Sequence, residues 1–338
     1  MLADEILAAA NSPADRIYMG ALSALGIAIR QAKRFDLTPG IIVTANTISA
    51  SSFAAQLRAL PLCRFPFEFT WMEWPGADPV YDDAYRVDNA TAAAPAPHRM
   101  GVLIHADESR QKGSMTFAWS HRRDGINACP LACFFDWRAE APEVDDVSRS
   151  FFRQSGRSED ELRQQIVAQS QGLPQVKGSS EADLVDERSR FGFNISPAFK
   201  FWAEALVRRH GALPGPGSPE WQMWTSDIRG EPGVARSILL LLNSKNLTHS
   251  EESPAPERLN RQRTKAGKLP LLGHTKIRIK LSRALQRRAG EEGQRGAARL
   301  HAVRGHFKIR ASGVYWWSDF MRGDPARGAV HGTYKIDD

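Results

Sequence analysis

From 300 to 310 the chain alternates with a period of two: Val303, Phe307 and Ile309 fall at one parity, and Arg304, His306, Lys308 and Arg310 at the other. A strand turns successive side chains to opposite faces, so only an extended segment sorts these residues into one apolar and one cationic face. The same split runs through 274–281, where Ile277, Ile279 and Leu281 oppose His274, Lys276, Arg278 and Lys280. It recurs in 330–336, where Val330, Tyr334 and Ile336 oppose His331, Thr333 and Lys335. Between the 300–310 strand and Val314-Tyr-Trp-Trp317, Ala311-Ser-Gly313 supplies a turn whose glycine accepts positive φ, folding the aromatic stretch back as a hairpin partner. The pattern predicts a four-stranded antiparallel sheet whose apolar face packs on the rest of the chain.

Charge gives that sheet its meaning. From Arg258 to Lys335 there are 19 Lys and Arg against 4 acids, whereas the rest of the chain holds 26 cations and 34 acids. A mildly acidic body with a strongly basic C-terminal module points to a polyanionic partner, DNA or RNA. The predicted contact set is Lys276, Arg278, Lys280, Arg304, His306, Lys308, Arg310, Trp317, Arg322 and Lys335. Cations would attract phosphates, and whichever of Trp316 and Trp317 is not in the core would stack unpaired bases. An acidic protein, or the acidic body itself, is the other partner such a charge would suit.

Five of the nine histidines lie at or after His249. Two imidazoles and a cation suffice for metal-free phosphodiester cleavage, one ring accepting and the other donating a proton while the cation stabilises the phosphorane. His306, His331 and Arg304 would form that set if their strands paired, which makes a metal-independent nuclease the enzymatic alternative. No cofactor is expected. Cys63, Cys129 and Cys133 are an odd number without the two pairs of a structural zinc site, and they read as buried free thiols, so no metal is expected either.

The body reads as α+β. Ile6 and Leu7, then Ile17, Leu22, Leu25 and Ile29, mark two helices broken at Ser12-Pro13; 41–43 reads as a strand and 49–60 as a helix. No glycine-rich phosphate loop accompanies this opening, so no nucleotide site is predicted. Phe65, Phe67, Phe69 and Trp71 begin an aromatic strand, and 100–105, 115–119 and 128–137 add three more, expected to be antiparallel because some connections are too short for crossover helices. Ser158-Glu-Asp-Glu161 is a capping box, Ser196-Pro197 and Ser218-Pro219 are helix starts, and 234–242 is apolar all round, as in a buried helix. The predicted organisation is an α+β unit at 1–140, a mainly helical segment at 141–247, a linker or basic arm at 248–272 and a basic antiparallel β-module at 273–338. The opening residues carry no leader pattern and no apolar stretch is long enough to span a bilayer, so a cytoplasmic, non-membrane protein is expected.

Leu242-Asn-Ser-Lys-Asn246, Leu259-Asn-Arg-Gln-Arg263 with Gly267-Lys268 and Pro270-Leu271, Val303-Arg-Gly-His-Phe-Lys308, Gly313-Val-Tyr-Trp-Trp317 and Arg322-Gly together resemble a family of uncharacterised bacteriophage and prophage proteins. The resemblance covers about 240 to 336, with a looser likeness in the aromatic stretch from Pro61 to Trp74. It implies a phage or prophage origin, hence the host cytoplasm, and a structural or host-interaction role as a further alternative. Two departures stand out: 286–298 reads as an insertion, and Asp319 stands where the family pattern has a histidine before Arg-Gly.

Overall fold

Strand β1 (Lys33–Leu37) and strand β2 (Phe69–Pro75) run parallel and adjacent, joined by a crossover through helices α3 (Pro39–Ser49) and α4 (Phe53–Ala59). The computed structural model describes residues 1–10, 20–49, 53–76, 97–121, 125–138, 190–215, 218–228, 230–246, 248–279, 299–303, 306–317, 320–322 and 324–329, with isolated positions between 161 and 186. Residues 41–43, expected as a strand, lie inside α3. Pro39 suits a first helical turn, and Ile41, Ile42, Ala45 and Ile48 are buried at helical spacing, so the branched run feeds a helix face. The strand lies upstream instead: in β1, Phe35 and Leu37 are buried and alternate with Arg34 and Asp36.

From β2 the chain continues as an antiparallel meander through β3 (Arg99–Ala106), β4 (Lys112–His121), β5 (Gly125–Asp136) and β6 (Phe191–Ile195). Three of these match the expected strands. On the other side of β1 lies β8 (His274–Ile279), parallel to it, and β7 (Thr248–Ser253) closes the edge antiparallel to β8. The result is one eight-stranded sheet in the order β6-β5-β4-β3-β2-β1-β8-β7. The fold is α+β, as the sequence implies, but the sheet is mixed rather than antiparallel. Its parallel neighbours come from a crossover and from a strand some 200 residues downstream of β2, a pairing that local sequence does not carry.

Two apolar layers cover this sheet. One face carries Phe35, Leu37, Met72, Trp74, Val102, Ile104, Phe117, Leu131 and Cys133, packed beneath α3, helix α6 (Pro219–Asp227) and helix α7 (Glu231–Leu242). Ile238, Leu239, Leu240 and Leu241 of α7 are all fully buried, as the all-round apolar pattern predicts; each contributes about 1.5–3 kcal/mol relative to exposure. The opposite face carries Trp71, Ala118 and Ala128 beneath helix α1 (Leu2–Ala9), helix α2 (Ala21–Gln31) and Phe199, which precedes helix α5 (Lys200–His210). Ser218 caps α6, as expected, by accepting from the Trp221 amide at 3.1 Å, and Gly211 ends α5 at φ 81°.

A buried carboxylate seats α1. Glu73 is fully buried, and its Oε1 accepts from the Leu2 amide at 2.9 Å and faces Arg99 at 2.7 Å. Oε2 accepts from the Ala3 amide and from Trp71 Nε1, both at 2.9 Å. The first turn of a helix has amides without intrahelical partners, and a negative charge there also meets the positive end of the helix dipole. Arg99 additionally holds Asp36, the neighbour of Glu73 on β1, at 2.8 Å. Gly101 makes the arrangement fit, since a Cβ at that position would lie 2.4 Å from the Trp71 ring.

The C-terminal strands are not one sheet. β8 belongs to the main sheet, and the stretch read as a single strand from 300 to 310 divides into β9 (Arg299–Val303) and β10 (His306–Arg310). β9 pairs with β12 (Phe320–Arg322) and β13 (Asp324–Ala329), whereas β10 pairs with β11 (Gly313–Trp317). The segment 248–272, expected as a linker, carries β7 and helix α8 (Glu257–Lys265). The expected strand at 330–336 lies outside the described residues, as do 158–160 of the capping box and most of 171–187.

Candidate nucleic-acid interface

Ala311 and Ser312 turn β10 back into the antiparallel hairpin that the sequence predicts, with Gly313 at φ 128°. The register pairs His306 with Trp317, Phe307 with Trp316, Lys308 with Tyr315 and Ile309 with Val314. Residues opposed across an antiparallel pair share a face. Phe307, Val314 and Trp316 therefore fall together and point inward. Val314 and Trp316 are each only 2% exposed, and the Phe307 and Trp316 ring centroids are 4.7 Å apart. This side joins the core under α3 and α7 and meets α4. Ile309, expected to be buried with them, is 43% exposed. It sits one pair from the turn, on the strand that among the described residues has β11 as its one ladder neighbour.

On the outer face, cations stand over rings. Lys308 Nζ lies 4.8 Å from the Trp317 centroid, and Arg310 Cζ lies 5.6 Å from that of Tyr315. Both cations are exposed and both rings half-buried. Ser312 Oγ and Tyr315 Oη share a hydrogen bond of 3.0 Å, which fixes the phenol beside the turn. The far edge of β11 is also held: the Lys245 amide donates to Val314 O at 3.2 Å, and the Asn246 carboxamide donates to Trp316 O at 2.8 Å while accepting from its amide at 3.2 Å. Exposed Lys245 thus stands beside Gly313 and adds a cation to the same region. The hairpin is a ribbon with one face in the core and one bearing paired charge and π-surface.

Compared with known protein families, characterised proteins and solved structures, the chain matches none.

Of the predicted contact residues, the fold brings Lys308, Arg310 and Trp317 together and places the His306 backbone opposite Trp317. Lys276 and Arg278 lie elsewhere, on β8 of the main sheet. There Arg278 meets Glu251 at 3.3 Å, and Lys276 is registered between Glu251 and Asp36. The acids of β7 offset these cations, so the expectation of one continuous cationic face across 276–310 does not hold. Arg322 is on β12, in a different small sheet. Lys280, Arg304, His331 and Lys335 lie outside the described residues; for the three-residue catalytic set, this leaves only His306, on β10. Alternation requires one of the two tryptophans to be buried, and the hairpin register makes it Trp316, with Trp317 outward. Tyr315 and Lys245 went unnoticed in the sequence. Tyr315 carried a signal, for it shares the parity of Trp317; Lys245 carried none, since only folding brings it to β11.

The three cysteines are free and buried. Cys63 Sγ donates to Ala59 O at 3.3 Å, and burial pushes its thiol up to about 12 from an ordinary 9.0, so it is no nucleophile at neutral pH. Among the described residues, no helix is long and apolar enough to cross a membrane.

Asn243, Asn246 and Asn260 share one job. Asn243 donates to Arg64 O at 2.9 Å and accepts from the Arg64 amide at 3.1 Å. Asn260 does the same with Leu271, at 2.9 and 2.7 Å, and Asn246 with Trp316. A carboxamide offers a donor and an acceptor side by side, as a peptide unit does, so each asparagine stands in for a short piece of strand. The segments around Asn246 and Gly313–Trp317, remote in sequence, are thereby neighbours in the fold.

Proposed function

We propose that this chain binds single-stranded nucleic acid, DNA or RNA, through the outer face of the β10–β11 hairpin, and that it is a phage or prophage protein acting in nucleic-acid transactions. The observation that carries the binding reading is the pairing of exposed Lys308 with Trp317 and of Arg310 with Tyr315 on a hairpin whose other face is anchored in the core. Cations meet phosphates, and aromatic faces stack unpaired bases without sequence preference. A cation seated on a ring keeps its full charge and remains exposed, so both interactions are available at one place. Anchoring matters too, because a pre-organised surface loses less entropy on binding. The excess of Lys and Arg beyond Arg258 supports the choice of a polyanion. The phage assignment rests on the sequence resemblance from 240 to 336.

The test is a salt-titrated binding measurement on the full chain with single-stranded DNA, RNA and duplex DNA of equal length. Replacing both Lys308 and Arg310 by alanine should reduce the steepness of the salt dependence for single strands by about 1.4, about 0.7 for each phosphate no longer neutralised. Trp317→Ala should weaken binding by about 1–3 kcal/mol while leaving that slope unchanged, since stacking releases no counterion. Absence of binding at about 50 mM salt, or binding that none of these changes affects, overturns the reading.

A further inference from the structure

Helix α8 (Glu257–Lys265) buries none of its residues. Nine residues are too few for a stable helix in water, and helices of this length ordinarily persist by burying an apolar face. This one is held by side-chain bonds to the segment that follows it. Asn260 makes its paired bonds with Leu271, Arg263 Nε donates to Leu269 O at 2.8 Å, and the Lys268 amide donates to Arg263 O at 2.8 Å. Gly267, at φ 68°, makes the reversal that brings the segment back. Asn260 and Arg263 are the two half-buried positions of the helix, and the remaining seven are exposed. The fold thus pins α8 from one side and leaves the other bare.

That bare side is cationic. Residues 257–268 hold five cations, Arg258, Arg261, Arg263, Lys265 and Lys268, against the single acid Glu257. Arg258, Arg261 and Lys265 are spaced three and four apart, hence on one stripe, with Gln262 beside them. Arg261 retains 77% side-chain exposure, and its approach to Glu257 is a loose 3.9 Å, a geometry that contributes little in water.

We infer that α8 docks in the major groove of B-form duplex DNA, Arg258, Arg261 and Lys265 facing the phosphates and base edges. A helix of about 10–12 Å diameter fits a groove about 12 Å wide, and nine residues extend about 13 Å, enough to cross it. The major groove of an A-form RNA duplex is too narrow and deep for such an element, so the partner is DNA. Glutamine and arginine side chains are also the ones whose planar ends bond purine edges in that groove. Helix α8 shares with the hairpin only the class of partner. It is a second surface, and it takes a duplex where the hairpin takes a single strand.

The experiment uses the full chain with three nucleic-acid probes of one sequence, a 20-base-pair DNA duplex, the matching RNA duplex and a single DNA strand, and with polyglutamate as a fourth, acidic probe. Combined replacement of Arg258, Arg261 and Lys265 by alanine should lower the salt slope for duplex DNA by about 2.7, about 0.9 per phosphate. The affinity for that probe should fall at least tenfold, while single-strand binding keeps its strength. Asn260→Ala, which removes no charge, should weaken duplex binding at an unchanged slope because it frees the helix from its tether, while circular dichroism checks that the rest of the chain stays folded. Unchanged duplex-DNA binding, or an equal loss for duplex RNA, overturns the inference. So does retained duplex binding with loss of binding to polyglutamate, which would make an acidic protein the occupant. The Lys308 and Arg310 replacements report separately, through the single strand, on the hairpin.

Discussion

Replacing Glu73 by glutamine keeps the shape of the side chain and inverts the hydrogen-bonding role of one of its two oxygens. Each oxygen faces two donors, Leu2 N and Arg99 at Oε1, Ala3 N and Trp71 Nε1 at Oε2. Whichever way the new amide turns, its NH2 group confronts two donors in a site with no exposure. Two orphaned donors cost about 1–3 kcal/mol each, and removing one member of a buried ion pair costs about 3–5 kcal/mol in all. These figures describe the same loss from two sides, so the expected destabilisation is about 3–5 kcal/mol, against the 5–15 kcal/mol typical of a folded protein. With a urea slope of about 3 kcal/mol/M for a large chain, the midpoint should fall by about 1–1.7 M at unchanged slope. Far-UV circular dichroism during a urea titration measures it, and amide exchange at Leu2 and Ala3 should accelerate with it. A midpoint shift below about 0.3 M would falsify the claim that Glu73 anchors α1, because a solvated or redundant carboxylate gives that result.

Further outcomes follow from the same geometry. Phe307→Asp should release the hairpin, because it places a charge against Trp316 and costs more than the roughly 3 kcal/mol of a Phe truncation, whereas Lys308→Asp should leave it folded; limited proteolysis and tryptophan emission separate the two. Asn246→Asp keeps the acceptor for the Trp316 amide but loses the donor to its carbonyl, so amide exchange across β11 should quicken with a cost of about 1 kcal/mol. The Cys63 thiol, raised to about 12, should resist alkylation in the native state at pH 8 and react on unfolding. Since the unfolded chain releases that proton first, this group makes stability decline as pH climbs from about 9 towards 12 and leaves it unaffected below.

Much of the fold was legible where one residue's environment is set by its near neighbours. The apolar run of α7, the strands of the β3–β5 meander, the caps at Ser218 and Gly211 and the inward and outward faces of the hairpin all follow from local periodicity and turn chemistry. Branched residues at 41–43 misled because such runs suit a strand by propensity, and here their burial at helical spacing against the sheet prevails. Helix α8 was missed for the opposite reason. It has no apolar stripe to detect, and what holds it are side-chain bonds from Asn260 and Arg263 to residues six to eleven positions away.

The sequence by itself determined that the chain is α+β, that its C-terminal part is cationic, and that Lys308 and Arg310 share a face, for alternation along a strand is a property of the backbone. Only the tertiary structure decided which cations act together. By pairing β8 with β1 and β7, it placed Lys276 and Arg278 among Glu251 and Asp36, away from the hairpin. By bending residues 245–246 onto β11, it brought Lys245 to the edge of the hairpin that carries Tyr315. Charge is additive in a sequence, but its field at a surface depends on which opposite charges the fold brings within a few ångströms.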